Sequence, residues 1–207
     1  LNPLIAYCKR FIDVLFSLLL LIMLLPLIVI IALLVKLDSK GPIFFSQRRI
    51  GLATFYYISI FKMYKFRTMA LDAEKDTGAV WASAKDNRVT RVGHLLRKLR
   101  LDELPQLINV LLGDMSLIGP RPERPEFYLR LENKIPFYVE RTFYVLPGIT
   151  GWAQVNQGYD SCIGDVRRKV GFDHGYAVAL HNVIDWLIMD FTIVIKTLVI
   201  MIKGRGR

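Results

Sequence analysis

LDELPQLINVLLGDMSLIGPRP, residues 101–122, sets two acids side by side, Asp102 and Glu103, directly behind a basic run. Arg88, Arg91, Arg97, Lys98 and Arg100 lie between Asp86 and Asp102, and no acid interrupts them. Pro105 suits the first turn of a helix, where its missing N–H costs nothing. Leu107, Ile108, Leu111 and Leu112 give that helix an apolar face. Gly113 ends it, and the chain enters a loop that closes on Gly119, Pro120, Arg121 and Pro122. Two readings follow from this pattern alone. In one, guanidinium groups neutralise phosphoryl oxygens while a carboxylate attacks or binds a metal. In the other, the acids merely complement a helix dipole and the basic residues are solvated.

Outward from this stretch, the composition bounds the answer. At 207 residues the chain is one domain's worth, large enough for a real core. The hydrophobic fraction is 53% and the mean hydropathy +0.36, so part of the apolar content is expected to face lipid. A net charge of +10 suits nucleic acid or an anionic membrane surface. Cys8 and Cys162 have no metal-ligand spacing, and a reducing compartment fits them. His94, His174 and His181 are too dispersed for a zinc site. The first residue is Leu rather than Met, which agrees with a trimmed or processed form of something longer.

Val14 to Val35 contains no charged residue and is long enough to cross a bilayer as a helix. Lys9 and Arg10 fit a signal peptide, but the run is too long and no small-residue cleavage site follows. Basic residues flank both ends, with Lys36, Lys40, Arg48 and Arg49 after it, so the positive-inside rule selects no orientation. Pro26, near the middle, removes a helical hydrogen bond and favours a kink. A straight span and a helix that dips in and returns both remain open.

Gly41-Pro42 marks a turn, and Phe55 to Met69 is aromatic and β-branched enough for a strand or hairpin. There Lys65 and Arg67 alternate with apolar neighbours, so a strand puts both on one polar face, toward phosphate, headgroups or solvent. Ala70 to Asp86, with Asp72, Glu74, Lys75, Asp76 and Gly78, reads as a short helix start running into a loop. Val92, Leu95, Leu96 and Leu99 recur at helical spacing, with Arg88, Arg91, His94 and Lys98 on another face. Glu123 to Phe127 opens a further helical stretch, and Trp152 either packs or meets an interface. Val183 to Ile202 is apolar but interrupted by Asp185, Asp190 and Lys196, which a spanning helix would bury at considerable cost. With Trp186 present and Lys203, Arg205 and Arg207 following, an amphipathic helix lying in the interface is expected.

Residues 102–122 resemble, nearly letter for letter, the core of bacterial sugar transferases, the monotopic polyprenyl-phosphate sugar-1-phosphate transferases or phosphoglycosyl transferases. The resemblance runs from Lys9 to about Lys196. Lys9, Arg10 and Asp13 match a Lys-Arg-x-x-Asp motif that opens a re-entrant membrane helix in that family. Gly41 to Gly51 is similar to G-P-x-F-F-x-Q-x-R-x-G, and Lys65 to Met69 matches K-F-R-T-M. Residues 146–156 match L-P-G-I-T-G-W-A-Q-V-N. There are departures. Leu25 stands where the family breaks its helix at a serine before proline, removing a hydroxyl-to-backbone bond. Gln157 replaces a common glycine, where left-handed backbone would be strained, and Gly175 replaces a usual tyrosine. The segment between Gly51 and Lys65 is longer and richer in aromatics than the usual family connection, and reads as extra membrane contact.

The resemblance implies transfer of a sugar-1-phosphate from a UDP-sugar to polyprenyl (undecaprenyl) phosphate, with release of UMP. By position, Asp102 is the nucleophile that forms an acyl-phosphate and Glu103 its partner, both also being candidate ligands for Mg²⁺. Arg97, five positions before the aspartate, and Arg121, held by Pro120 and Pro122, are implied phosphate holders. Lys65, Arg67, Gln154 and Asp173 are further substrate-binding candidates. If the acids are helical, their side chains point about 100° apart. The implied fold is α+β and mostly helical. It comprises a re-entrant N-terminal membrane helix over residues 1–40, and a catalytic part over 41–207 with a small β-hairpin or sheet and amphipathic interfacial helices. The implied partners are a UDP-sugar, polyprenyl phosphate and a bilayer with anionic headgroups, with no nucleic acid and with an oligomer left open. The implied place is the bacterial inner (cytoplasmic) membrane, on its cytoplasmic face. Two rivals stand against this. One is a catalytically silent membrane-surface adaptor that binds anionic lipid. The other is a basic nucleic-acid-binding protein, which leaves the uncharged N-terminal run unexplained.

Overall fold

A computed structural model describes residues 2–71, 73, 86–157 and 163–204. Cys162, Arg205, Arg207 and most of the expected polar helix start and loop of 70–86, including Asp72, Glu74, Lys75, Asp76 and Gly78, lie outside the described residues. The architecture is α+β, with eight α-helices and two two-stranded sheets among the described residues.

The apolar N-terminal run forms two helices, α1 (Pro3–Met23) and α2 (Leu25–Asp38), bent by 64° at Leu24. Pro26 sits in the first turn of α2 and has no N–H to continue the ladder of α1. No side-chain cap serves the start of α2, in keeping with the leucine at position 25. Among the described residues no single helix is long and apolar enough to cross a membrane, whereas this bent pair meets that test by length and composition.

The opening basic motif fastens α1 to the rest of the chain. Arg10 donates to the carbonyls of Val110 and Leu111, at 2.5 and 2.9 Å, capping the C-terminus of α4 (Gln106–Leu112) where a cation is favoured. Asp13 accepts from the Leu117 N–H at 2.9 Å, and Lys9 pairs with Asp190 at 3.3 Å.

The hairpin is β1 (Phe44–Ala53) and β2 (Ile58–Phe66), antiparallel, with Phe44 opposite Phe66 and Arg48 opposite Lys62. Its boundaries correct the expected segment of 55–69: the first strand begins just after the Gly41-Pro42 turn and the second ends at Phe66. The outer edge of β2 is closed by Asn109 on α4, whose side chain accepts from the Tyr64 N–H and donates to the Lys62 carbonyl. A second, parallel sheet joins β3 (Ser116–Ile118) to β4 (Gly148–Thr150). Beyond it Gly119 and Gly148 touch backbone to backbone, and a Cβ on Gly148 would strike the Gly119 nitrogen.

The remaining helices are α3 (Arg91–Leu99), α5 (Pro125–Glu132), α6 (Trp152–Asn156), α7 (Ile163–Ala179) and α8 (Val183–Ile202). Two of the three charges that interrupt α8 find partners in the fold, whereas Asp185, in its first turn, is exposed. Asp190 accepts from Tyr176 Oη at 2.9 Å and Trp186 Nε1 at 2.7 Å. Lys196 donates to Asn156 and lies 4.6 Å above the Trp152 ring. The outward face of α8 is apolar, with Leu187, Ile188, Phe191 and Ile195 exposed. Trp152 packs edge-on against Phe172.

Candidate active site

The acidic pair sits where three elements meet, and local sequence explains how it is presented. Thr90 caps α3 by accepting from the Gly93 N–H. Arg100 ends α3 in the left-handed region, with φ 57. Glycine is usual at such a stop, and a non-glycine residue there costs of order 1–3 kcal/mol. The reversal throws Leu101–Glu103 into a single 3-10 turn ahead of α4, with Leu101 and Leu104 packed toward Ile31, Val35 and Phe66. The expected α-helical geometry is therefore corrected. On a 3-10 turn of about three residues, neighbouring side chains diverge by about 120° rather than 100°, and the two acids face different surroundings.

Both are buried, Asp102 at 7% and Glu103 at 6% exposure. One oxygen of Glu103, Oε1, takes Lys65 Nζ at 2.9 Å and Arg121 at 3.0 Å. Burial alone pushes a carboxyl upward. At Glu103 the cations Lys65, Arg121 and Arg100 overcome that and hold it well below the usual carboxylate range. Asp102 behaves oppositely: burial and the adjacent Glu103 outweigh Lys65, Arg97 and Arg121, and its pKa is raised. Among the described residues the Asp102 carboxylate has no hydrogen-bond or ion-pair partner, so it is free to meet an incoming group. Burial also lowers the pKa of Lys65, against the pull of Glu103.

Arg97, in the last turn of α3, donates Nε to Thr68 Oγ1 at 2.8 Å and adds positive charge beside Asp102. Among the described residues Lys65, Arg97, Arg100 and Arg121 thus surround two carboxylates, an arrangement that suits a phosphorylated ligand.

The loop of Arg121 is supported from beneath. Arg49 on β1 donates to the Pro122 carbonyl at 3.2 Å, and burial together with Arg121 and Arg124 lowers its pKa to about 10. Arg141 donates to the Arg121 carbonyl at 3.3 Å while pairing with Asp173 at 2.8 Å and lying 4.5 Å from the Tyr138 ring. Pro122 is buried, so both ends of the Arg121 peptide segment are fixed.

Of the residues singled out from sequence, the structure brings Asp102, Glu103, Lys65 and Arg121 into contact and sets Arg97 beside them. Arg67 goes elsewhere. The expectation of one polar face shared with Lys65 is corrected, because β2 ends at Phe66 and the chain turns. Arg67 donates to the carbonyls of Ser39 and Lys40, at 2.6 and 2.9 Å, and to Ser39 Oγ. It clamps the C-terminus of α2, and Gly41, at φ 127, leaves room that a Cβ would take from its guanidinium. Asp173 lies one layer below the site, holding Arg141. Gln154 donates to the Ile149 carbonyl at 3.1 Å, and its Oε1 is buried without a partner. Gln157 is extended, with φ −134, so the expected left-handed strain does not arise there.

Arg49, Arg100 and Arg141 were not singled out as site residues. Arg49 carried a signal, the arginine of the Gln-x-Arg-x-Gly segment. Arg100 was visible only as part of the basic run, its left-handed backbone carrying no signal, and Arg141 carried none, since its role depends on contacts distant in sequence.

Among the described residues no group of three or more His, Cys, Asp or Glu could hold a metal by itself. The donors on offer are the Asp102 carboxylate and the second oxygen of Glu103. That set fits Mg²⁺, which is commonly held by one or two carboxylates with the substrate's phosphates completing its shell.

The family described as bacterial sugar transferase matches residues 4–204. Over 205 residues the chain is 44% identical to a UDP-N-acetylgalactosamine-undecaprenyl-phosphate N-acetylgalactosaminephosphotransferase of Aeromonas hydrophila, covering 99% of this chain and 46% of that protein. It is 43% identical over 190 residues to an undecaprenyl-phosphate glucose phosphotransferase of Komagataeibacter xylinus, covering 89% and 35% respectively. It is 36% identical over 203 residues to an exopolysaccharide production protein of Rhizobium leguminosarum bv. phaseoli, covering 96% and 97%. The chain thus spans about half the length, or less, of the first two relatives and nearly all of the third.

Proposed function

The chain belongs to the bacterial sugar transferase family, and we propose that it transfers a sugar-1-phosphate from a UDP-sugar to polyprenyl phosphate at a membrane surface, beginning glycoconjugate or exopolysaccharide assembly. The observation that carries this reading is the asymmetry of the acidic pair: Glu103 is clamped by Lys65 and Arg121, and Asp102 is buried without a partner among the described residues.

An oxygen of Asp102 attacks the phosphorus that bears the sugar. The bond from that phosphorus to the bridging oxygen breaks, the oxygen leaves with UMP, and an aspartyl-phosphosugar remains. An oxygen of polyprenyl phosphate then attacks the same phosphorus, giving polyprenyl-diphosphate-sugar and restoring the Asp102 carboxylate. Covalent capture divides one difficult displacement into two easier ones. Burial favours the attack, since a poorly hydrated carboxylate is more basic than one in water. Arg121 and Arg97 hold phosphoryl oxygens, Arg121 being aimed by the carbonyl contacts of Arg49 and Arg141. Lys65 keeps Glu103 ionised and oriented. Mg²⁺, held by Asp102 or by the second oxygen of Glu103 together with diphosphate oxygens, would offset the charge that develops on departing UMP.

The membrane reading belongs with this. Helices α1 and α2 form a re-entrant pair that enters and leaves on the cytoplasmic side of the bacterial inner membrane. Lys9 and Arg10 then lie at the same surface as Lys36 and Lys40, and residues 41–207 form the catalytic part on that face. The apolar outer face of α8 lies along the interface.

The test is UMP release by the detergent-solubilised protein with Mg²⁺ and a panel including UDP-N-acetylgalactosamine and UDP-glucose, with and without undecaprenyl phosphate. Acceptor-dependent UMP from one donor, lost in Asp102→Asn, is the expected result. Silence across the panel from folded protein points to the catalytically silent adaptor.

A further inference from the structure

The outward face of the β1–β2 hairpin carries a pattern that neither the core nor catalysis uses. Phe61, Met63 and Lys65 alternate inward, the first two into the core and the third to Glu103. By the two-residue period of a strand, Ile58, Ile60 and Lys62 turn the other way, and the register sets Lys62 directly opposite Arg48. Both cations are exposed, and among the described residues neither side chain has a hydrogen-bond or ion-pair partner. Like charges directly opposite each other destabilise a sheet, so the pair calls for an anion from outside.

Toward the turn the same face becomes apolar. Ile60 is 57% exposed, and at the tip Tyr56 is 92% exposed. The tip is a built feature. Thr54 Oγ1 accepts from the N–H groups of Tyr56 and Tyr57. The exposed Phe55 ring stands edge-on to Phe143 and Tyr144 at 5.2 and 5.8 Å. Cations bordered by exposed aromatic and aliphatic groups match the level of a bilayer where phosphate meets acyl chain. The turn end of the hairpin also lies near the point where α1 is anchored to α4. Tyr57 and Ile60 share a cleft with Gly113 and Asp114, and a Cβ on Gly113 would lie 3.6 Å from the Arg10 guanidinium.

We propose that this hairpin face, with Arg48 and Lys62 on phosphate and the Phe55–Tyr56 tip among the headgroups, docks on anionic phospholipid as a second membrane contact beside α1–α2. The proposal rests on the membrane reading of α1–α2.

The experiment uses the full chain in nanodiscs of phosphatidylcholine, with or without phosphatidylglycerol. Tyr56→Cys, in a background carrying Cys8→Ser and Cys162→Ser, bears an environment-sensitive fluorophore. The label should be quenched by spin-labelled lipid and shielded from aqueous iodide, more so with phosphatidylglycerol present. Arg48→Gln with Lys62→Gln should lower the ratio of lipid-facing to water-facing label about thirtyfold, each cation at an anionic surface being worth roughly fivefold. The reversal Arg48→Glu with Lys62→Glu should lower it further, and the neutral pair covers misfolding of the reversal. Iodide access regardless of lipid charge overturns the proposal. So does label protection that follows protein concentration rather than phosphatidylglycerol, which identifies a second copy of the chain as the occupant. UMP release from the same samples separates the two readings: a lipid-quenched label in protein that releases no UMP supports the docking face while telling against the catalytic assignment.

Discussion

Two of the buried acid clusters among the described residues differ in charge balance, and their contrast separates chemistry from architecture. At Asp173 one carboxylate meets one guanidinium, Arg141, at 2.8 Å, and both are buried. At the Asp102–Glu103 turn four cations surround two carboxylates, and among the described residues one of those carboxylates is left without a partner. A balanced pair has no capacity left for a ligand, whereas an unbalanced one retains positive charge for phosphate and an unpaired oxygen for attack. Burial of a charge without a partner is costly, and it is this cost that the Asp102 position holds in reserve.

Exchanging the outcomes of the two clusters is the sharpest way to break that contrast. Asp102→Asn should abolish UMP release by roughly three orders of magnitude or more. Its thermal midpoint should rise or stay put. The folded-state pKa of Asp102 is raised, so its contribution to stability is present at low pH and lost as pH rises through that value, and neutral asparagine removes the loss. A clear fall in the midpoint would place Asp102 with the structural pairs. Asp173→Asn should do the reverse. Breaking a buried pair costs about 3–5 kcal/mol, or roughly 6–20 °C in thermal midpoint, while turnover per folded molecule at low temperature changes little. A severe turnover loss in folded Asp173→Asn would move this pair into the site.

Arg67→Ala extends the comparison to the two cations of the Lys65–Met69 segment. It should cost about 3 kcal/mol through lost charge-assisted bonds to the end of α2, seen as a lower thermal midpoint with KM for the UDP-sugar unchanged. A raised KM in folded protein would return Arg67 to substrate binding. Arg121→Lys keeps the charge but loses the planar fork, so kcat/KM should fall about tenfold. An unchanged value would take Arg121 out of phosphate binding. The smallest effect is a shift in pH profile. Glu103→Gln removes a negative neighbour and frees Lys65 and Arg121, both of which lower the Asp102 pKa. The acid limb of residual kcat/KM should therefore move to lower pH. A limb that stays in place would mean that another group sets it.

Much of this was legible locally. The helix breaks at Pro26 and Gly113, the period-3.6 stripe before the acids and the apolar run at the N-terminus follow from dihedral preference and hydrophobic spacing, which act over a few residues. The aromatic and β-branched segment marks β2 but not its partner, since nothing local shows that Phe44 to Ala53 pairs back onto it. The polar alternation of Lys65 and Arg67 was real in sequence, yet the end of β2 at Phe66 sent the two side chains to different tasks.

By itself the sequence determined the main helices, the acidic pair and the basic residues near it in the chain, and it favoured a kink in the apolar N-terminal run, because each depends on residue type and short-range order. Only the tertiary structure decided which acid is clamped and which is free, that Arg49 and Arg141 hold the Arg121 loop from 73 and 20 residues away, and that Asp190 and Lys196 of α8 find partners in the fold. Charge balance in a buried site is a sum over groups brought close by the fold, and the spacing of residues along a chain does not contain that sum.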